Sequence, residues 1–116
     1  MTQEQNFMMV YRFTPDFSHR PTEEELAQMQ QQWGTYIGGI AQSGKLVSTH
    51  RLGFEGKCVL ADGTVKDEIV VAEGQIVSGN MVVKADSFEE AVELAKGCPI
   101  LHAGGSVEVR PIMPMG

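Results

Sequence analysis

Apolar positions along the chain alternate between short runs and long-period stripes. Phe7 to Arg12 is a short run with aromatic and β-branched members, which predicts a first strand. Both of its faces, Phe7/Met9/Tyr11 and Met8/Val10, are apolar. A strand buried on both sides belongs in the middle of a sheet. Thr14 to Pro21 carries two prolines, an Asp and a Ser, and reads as a loop. A first helix opens at Thr22, whose hydroxyl can take one orphan N–H while the Glu25 carboxylate reaches back to another. Leu26, Met29, Trp33, Ile37 and Ile40 then recur at three- and four-residue steps, and Gly44 ends the helix. Gly38 and Gly39 inside it cost ~1 kcal/mol each against Ala. Close approach of another backbone is the expected reason for them.

Leu46 to His50 predicts a second strand. Gly53, Gly56 and Asp62-Gly63 mark turns, so Lys57–Leu60 and Thr64–Val71 are expected to pair as a small hairpin. Ile76 to Lys84 is the next strand, with Gly79 signalling a bulge or a close contact. Ser87 and Glu90 suggest a second capping box. Ala91, Val92, Ala95 and Cys98 form the apolar face of that second helix, and Gly97 with Pro99 ends it. Val107 to Ile112 alternates as a last strand.

Strand–helix–strand, repeated once, makes two split βαβ units. The expected fold is α+β, a ferredoxin-like βαββαβ with a small extra hairpin, spanning residues 1–116 as one domain. Two helices cover one face of an antiparallel sheet. The other face keeps apolar residues, and a two-fold homodimer closing sheet on sheet is the simplest cover for it.

Composition narrows the function classes. A net charge of −6 with scattered Lys and Arg predicts no nucleic-acid partner, because phosphate binding needs clustered basic residues. It predicts no membrane partner either, since anionic membranes attract basic segments and no apolar run is long enough to span a bilayer. The start, MTQEQNFMMVYR, has no basic n-region, which predicts a cytoplasmic protein. Cys58 and Cys98 are then reduced thiols, expected to be buried as small hydrophobes. Two cysteines without a CxxC predict no zinc site.

The segments FMMVYR, GGIAQSGKLV and RLGFEGKCVLADG, and above all KADSFEEAVELAKGCPILHAGGSVEVRPIMP, closely resemble the YCII-related or DGPF-domain family. The resemblance covers nearly the whole chain and implies a dimeric α+β barrel. The family's name motif is Asp-Gly-Pro-Phe, followed by a Glu, a Lys-Glu pair and Gly-Gly-Tyr. Here Asp67 is kept, and Glu68, Ile69 and Val70 replace Gly-Pro-Phe. Ala72 stands for the Glu, Gly74 and Gln75 for the Lys-Glu pair, and Asn80 for the Tyr. Other branches carry a helix-one His proposed to pair with an Asp. That His position falls on Trp33, and Gln42 takes the acidic place. The chain thus looks like a divergent member that lacks both signature constellations.

Four residues are candidate ligand-binding groups: Arg12, His50, Asp67 and Arg110. His50 ends the second strand, where a pocket can open, and a neutral imidazole can serve as a base. An ordinary hydrogen-bonded strand-end histidine is the competing reading. Asp67 is either a pocket acid or the cap of a turn. His50 and Asp67 are the candidate catalytic pair. Arg12 and Arg110 lie on strands expected to be neighbours and would make a cationic spot for a carboxylate, unless Glu108 pairs with them. His102 and His19 are expected in surface loops. No phosphate-binding glycine motif and no nucleophile elbow is present, and no cofactor is expected.

These residues favour a small dimeric ligand-binding or accessory module for a small anionic ligand over an enzyme. The alternative is a cofactor-free lyase, isomerase or monooxygenase acting on a small organic acid or aromatic. The family's association with alternative sigma factors implies a third reading, a protein-interaction role linked to transcription control.

Overall fold

The structure is a computed structural model that describes residues 4–15 and 20–114. Its elements follow the order β1 (Gln5–Phe13), α1 (Glu23–Gln42), β2 (Leu46–Arg51), β3 (Cys58–Val59), β4 (Val65–Lys66), β5 (Ile76–Ala85), α2 (Phe88–Ala95), a 3-10 turn (Pro99–Ala103) and β6 (Ser106–Pro111). Four strands form an antiparallel sheet in the order β2-β5-β1-β6. This is the ferredoxin-like arrangement of an α+β fold. β1 is central, as its two apolar faces require. β3 and β4 pair only with each other, in a separate two-stranded sheet shorter than the sequence suggests. Among the described residues no helix is long and apolar enough to cross a membrane.

One face of the sheet carries the core. Phe7, Met9 and Tyr11 of β1 and Met81, Val83 and Ala85 of β5 lie against Ile40 of α1, Ala91 and Ala95 of α2, and Cys98. Each large side chain here contributes about 1.5–3 kcal/mol through burial. Burial pushes the Cys98 thiol up to about 11 and the Tyr11 phenol far above its ordinary value. Tyr11 meets Trp33 edge-on at 5.2 Å between ring centroids, and Trp33 meets Tyr36 at 6.2 Å. The Tyr36 hydroxyl donates to the Leu94 carbonyl at 2.8 Å, tying α1 to α2. The Tyr11 hydroxyl is buried without a hydrogen-bond partner among the described residues.

The first capping box forms: the Thr22 hydroxyl accepts from Glu25 N–H at 3.1 Å and the Glu25 carboxylate accepts from Thr22 N–H at 3.4 Å. The second does not form in full. Ser87 accepts from Glu90 N–H at 3.1 Å, but the Glu90 carboxylate turns to Lys45 Nζ at 2.6 Å and to Asp86 N–H at 3.3 Å. A charged partner outcompetes the Ser87 amide for it.

Three other expectations need correction. The α1 stripe docks through its C-terminal half only, with Leu26 44% and Met29 47% exposed. No backbone approaches Gly38 or Gly39, since a β-carbon on either would meet nothing within 4 Å. Cys58 is half-buried rather than buried. Gly79 does mark a close contact: a β-carbon there would strike the His50 carbonyl oxygen. A register shift also lies beside it, between Tyr11 and Arg12.

Candidate functional site

Alternation along the strands sends a second set of side chains to the sheet face away from the helices. The register aligns His50, Asn80, Val10 and Glu108 in one row across all four strands. The next row is Ser48, Val82, Met8 and Arg110. The middle of this face is apolar, with Val82 9% exposed and Met8 and Val10 half-buried. Polar groups flank it on both sides, about 14 Å apart from β2 to β6 at ~4.8 Å per strand.

On the β2 side, His50 Nδ1 lies 3.2 Å from Asn80 Oδ1. An amide oxygen can only accept, so this pairing assigns the proton to Nδ1. In the neutral ring with that tautomer, Nε2 carries the lone pair and can accept a proton. Gly79 makes the pairing possible, because only a residue without a β-carbon lets β2 come this close.

On the β6 side, Arg12 Nη1 donates to Glu108 Oε1 at 2.6 Å. Arg110 is exposed, with no carboxylate partner among the described residues. Arg12 and Arg110 share the face but do not merge. Four residues of strand separate their rungs, about 13 Å at ~3.3 Å per residue, and Glu108 lies between them. Arg110 is the free cation of the pair, and its planar fork suits a ligand carboxylate.

Asp67 is elsewhere. It follows β4 and pairs with Lys57 across the hairpin, largely exposed. Asp62, not Asp67, caps a turn there, accepting from Thr64 N–H at 2.9 Å. Hydrogen bonding by the Thr64 side chain, and then by its backbone amide, holds the Asp62 carboxyl below its ordinary range. No hydrogen bond joins His50 to Asp67. His102 lies in the 3-10 turn rather than a loop and lines a cleft on the helical side with Tyr36 and Pro99. His19 lies outside the described residues.

A cleft of about 320 Å³ opens at the root of the hairpin, lined by Leu52, Gly53, Glu55, Ile69, Val70 and Val77. Val77 pairs with Arg12, so this cleft borders the open face. Asn80 is the site residue that sequence reasoning passed over. The signal in the sequence is a polar residue directly before the apolar run Met81-Val82-Val83, inside an expected strand. Among the described residues, no three His, Cys, Asp or Glu side chains are grouped to hold a metal ion.

No curated protein matches the chain. A family model described as the YCII-related domain matches residues 6–116, essentially its whole length, and the chain belongs to that family.

Proposed function

We propose that the protein is a small homodimeric ligand-binding or accessory module, closed sheet against sheet into a dimeric α+β barrel, that takes a small organic anion between its sheets. It works in the cytoplasm, where Cys58 and Cys98 stay reduced. The observation that supports this reading is the sheet face away from the helices, with half-buried Met8 and Val10 near its centre and Arg110 exposed without a carboxylate among the described residues. Apolar surface of this kind on a small chain marks an interface. A cation left inside it suits a carboxylate, which offers two parallel acceptors to a guanidinium.

The test has two parts. Light scattering at micromolar concentration reads the mass, and a monomer overturns the barrel. A thermal-shift panel of small mono- and dicarboxylates reads binding. A ligand at 100 times its Kd adds about 2.7 kcal/mol, and Arg110→Ala should remove that shift. No response across the panel, or an unchanged response in Arg110→Ala, overturns the anion site.

The His50–Asn80 pair favours a second reading, a cofactor-free lyase or isomerase with His50 Nε2 as its base. Asn80 would then be a positioning residue. His50→Gln separates the readings: it abolishes turnover under the second and leaves ligand binding nearly intact under the first.

A further inference from the structure

Residues 52–75 leave the sheet after β2 and return to it at β5, and none of them is buried. Only Cys58, Ile69 and Gln75 are even half-buried. Yet the segment is rich in large apolar side chains, with Val59 69%, Val70 68% and Val71 60% exposed. Two strands of two residues each are too little to hold a hairpin in water without a partner surface. The arm is nonetheless shaped: the Asp62 cap sets one turn, and Glu73 and Gly74, both at positive φ, set a second tight turn closed by Ala72 and Gln75.

The whole chain shows the same excess. Its accessible surface is 8458 Å², against about 6,200 Å² for a compact monomer of this mass. Its radius of gyration is 16.0 Å, against about 13 Å expected. The molecule is 20 Å deep, about the depth of one sheet and one helical layer at ~10 Å each. The arm therefore does not fold over its own open face. The surplus of about 2,200 Å² exceeds the ~800 Å² per partner that a standard stable interface removes from water.

We infer that the arm of residues 52–75 is a clasp for a second copy of this chain, laying Val59, Val70 and Val71 against the partner's open sheet beside Met8 and Val82. This rests on the dimeric reading above and adds a different contact to it. The second copy is the fitting occupant for two reasons. One chain carries both uncovered surfaces, and a two-fold axis uses each of them once per chain. The charges also match: Lys84, two residues from Val82 on the open face, lacks a carboxylate, while Glu55 and Glu68 on the arm lack a cation among the described residues. Each arm would then wall one end of the barrel, so the hairpin-root cleft at Leu52 and Val77 is complete only in the pair.

The test places a photo-crosslinking residue at position 59 or 70 in the full chain and mixes isotopically light and heavy protein before irradiation. Crosslinks joining light to heavy chains, mapped to the sheet around Met8 and Val82, support the clasp. In parallel, Val59→Asp with Val70→Asp is expected to weaken the dimer at least tenfold by light scattering, with the circular dichroism spectrum unchanged. A dimer that persists undiminished in this variant, with crosslinks confined to single chains, overturns the clasp and leaves the sheet-to-sheet dimer standing. A wild-type monomer overturns both.

Discussion

Gly79 sits directly under the His50 carbonyl, at a point where a β-carbon could not fit. The neighbouring Asn80 presents its Oδ1 to the His50 ring at 3.2 Å. Packing and candidate chemistry therefore meet at one rung of the β2–β5 ladder. Gly79→Ala should push β2 away and destabilise the fold by about 1–3 kcal/mol, the usual cost of overpacking. Urea denaturation measures this, and a change under ~0.5 kcal/mol would show that the strand yields freely.

Gly38 and Gly39 make the opposite case. Both lie within α1 with open space where a β-carbon would go. Alanine at either should stabilise the protein by about 1 kcal/mol, because it restores helix propensity without a clash. A fall in the denaturation midpoint instead would reveal a partner packed against this stretch of helix.

The Tyr11 hydroxyl is a buried donor without an acceptor among the described residues. Tyr11→Phe keeps the ring against Trp33 and removes the orphan group. The variant should gain about 1 kcal/mol, since an unsatisfied buried polar group is costly. A loss of stability would mean that the hydroxyl has a partner in solution.

Lys45 and Glu90 link the start of β2 to α2. The hydrogen bond from Lys45 holds the Glu90 carboxyl below its ordinary range, helped by the Asp86 amide. The same bond raises the Lys45 ammonium above its own. A depressed carboxyl contributes stability above its unfolded value and loses it as pH falls through the folded value. A raised ammonium contributes below its unfolded value and loses it as pH rises through the folded value. Glu90→Gln should therefore lower Tm at neutral pH, with the gap to wild type closing in acid and again in strong alkali. A gap that stays constant from neutral to strongly acidic pH would remove the pair from the account.

What could be read from the chain beforehand followed from how local each signal was. The Thr22 cap depends on residues three apart, and it forms. β1 is central because its own two faces are apolar. Glu90 was misjudged because its rival partner, Lys45, lies 45 residues away and only the fold brings the two together. The His50–Asn80 pairing needed the β2–β5 register, which a shift between Leu46 and Ser48 moves out of simple alternation. Asp67 drew attention through its motif position, but the hairpin turns it to Lys57 and away from the sheet.

The central place of β1 has a further consequence, for how the protein is made. Of the six described strands, β1 leaves the ribosome before the others, and its two neighbours, β5 and β6, leave after the rest. At roughly 5–20 residues per second, several seconds pass between the emergence of Phe13 and that of Ile76. Throughout that interval Phe7, Met9 and Tyr11 have no strand to pair with, so a nascent chain stalled before Ile76 is expected to be cut readily by protease within β1. The apolar strand β1 is thus a segment that the growing polypeptide must keep from aggregating until β5 and β6 have been synthesised.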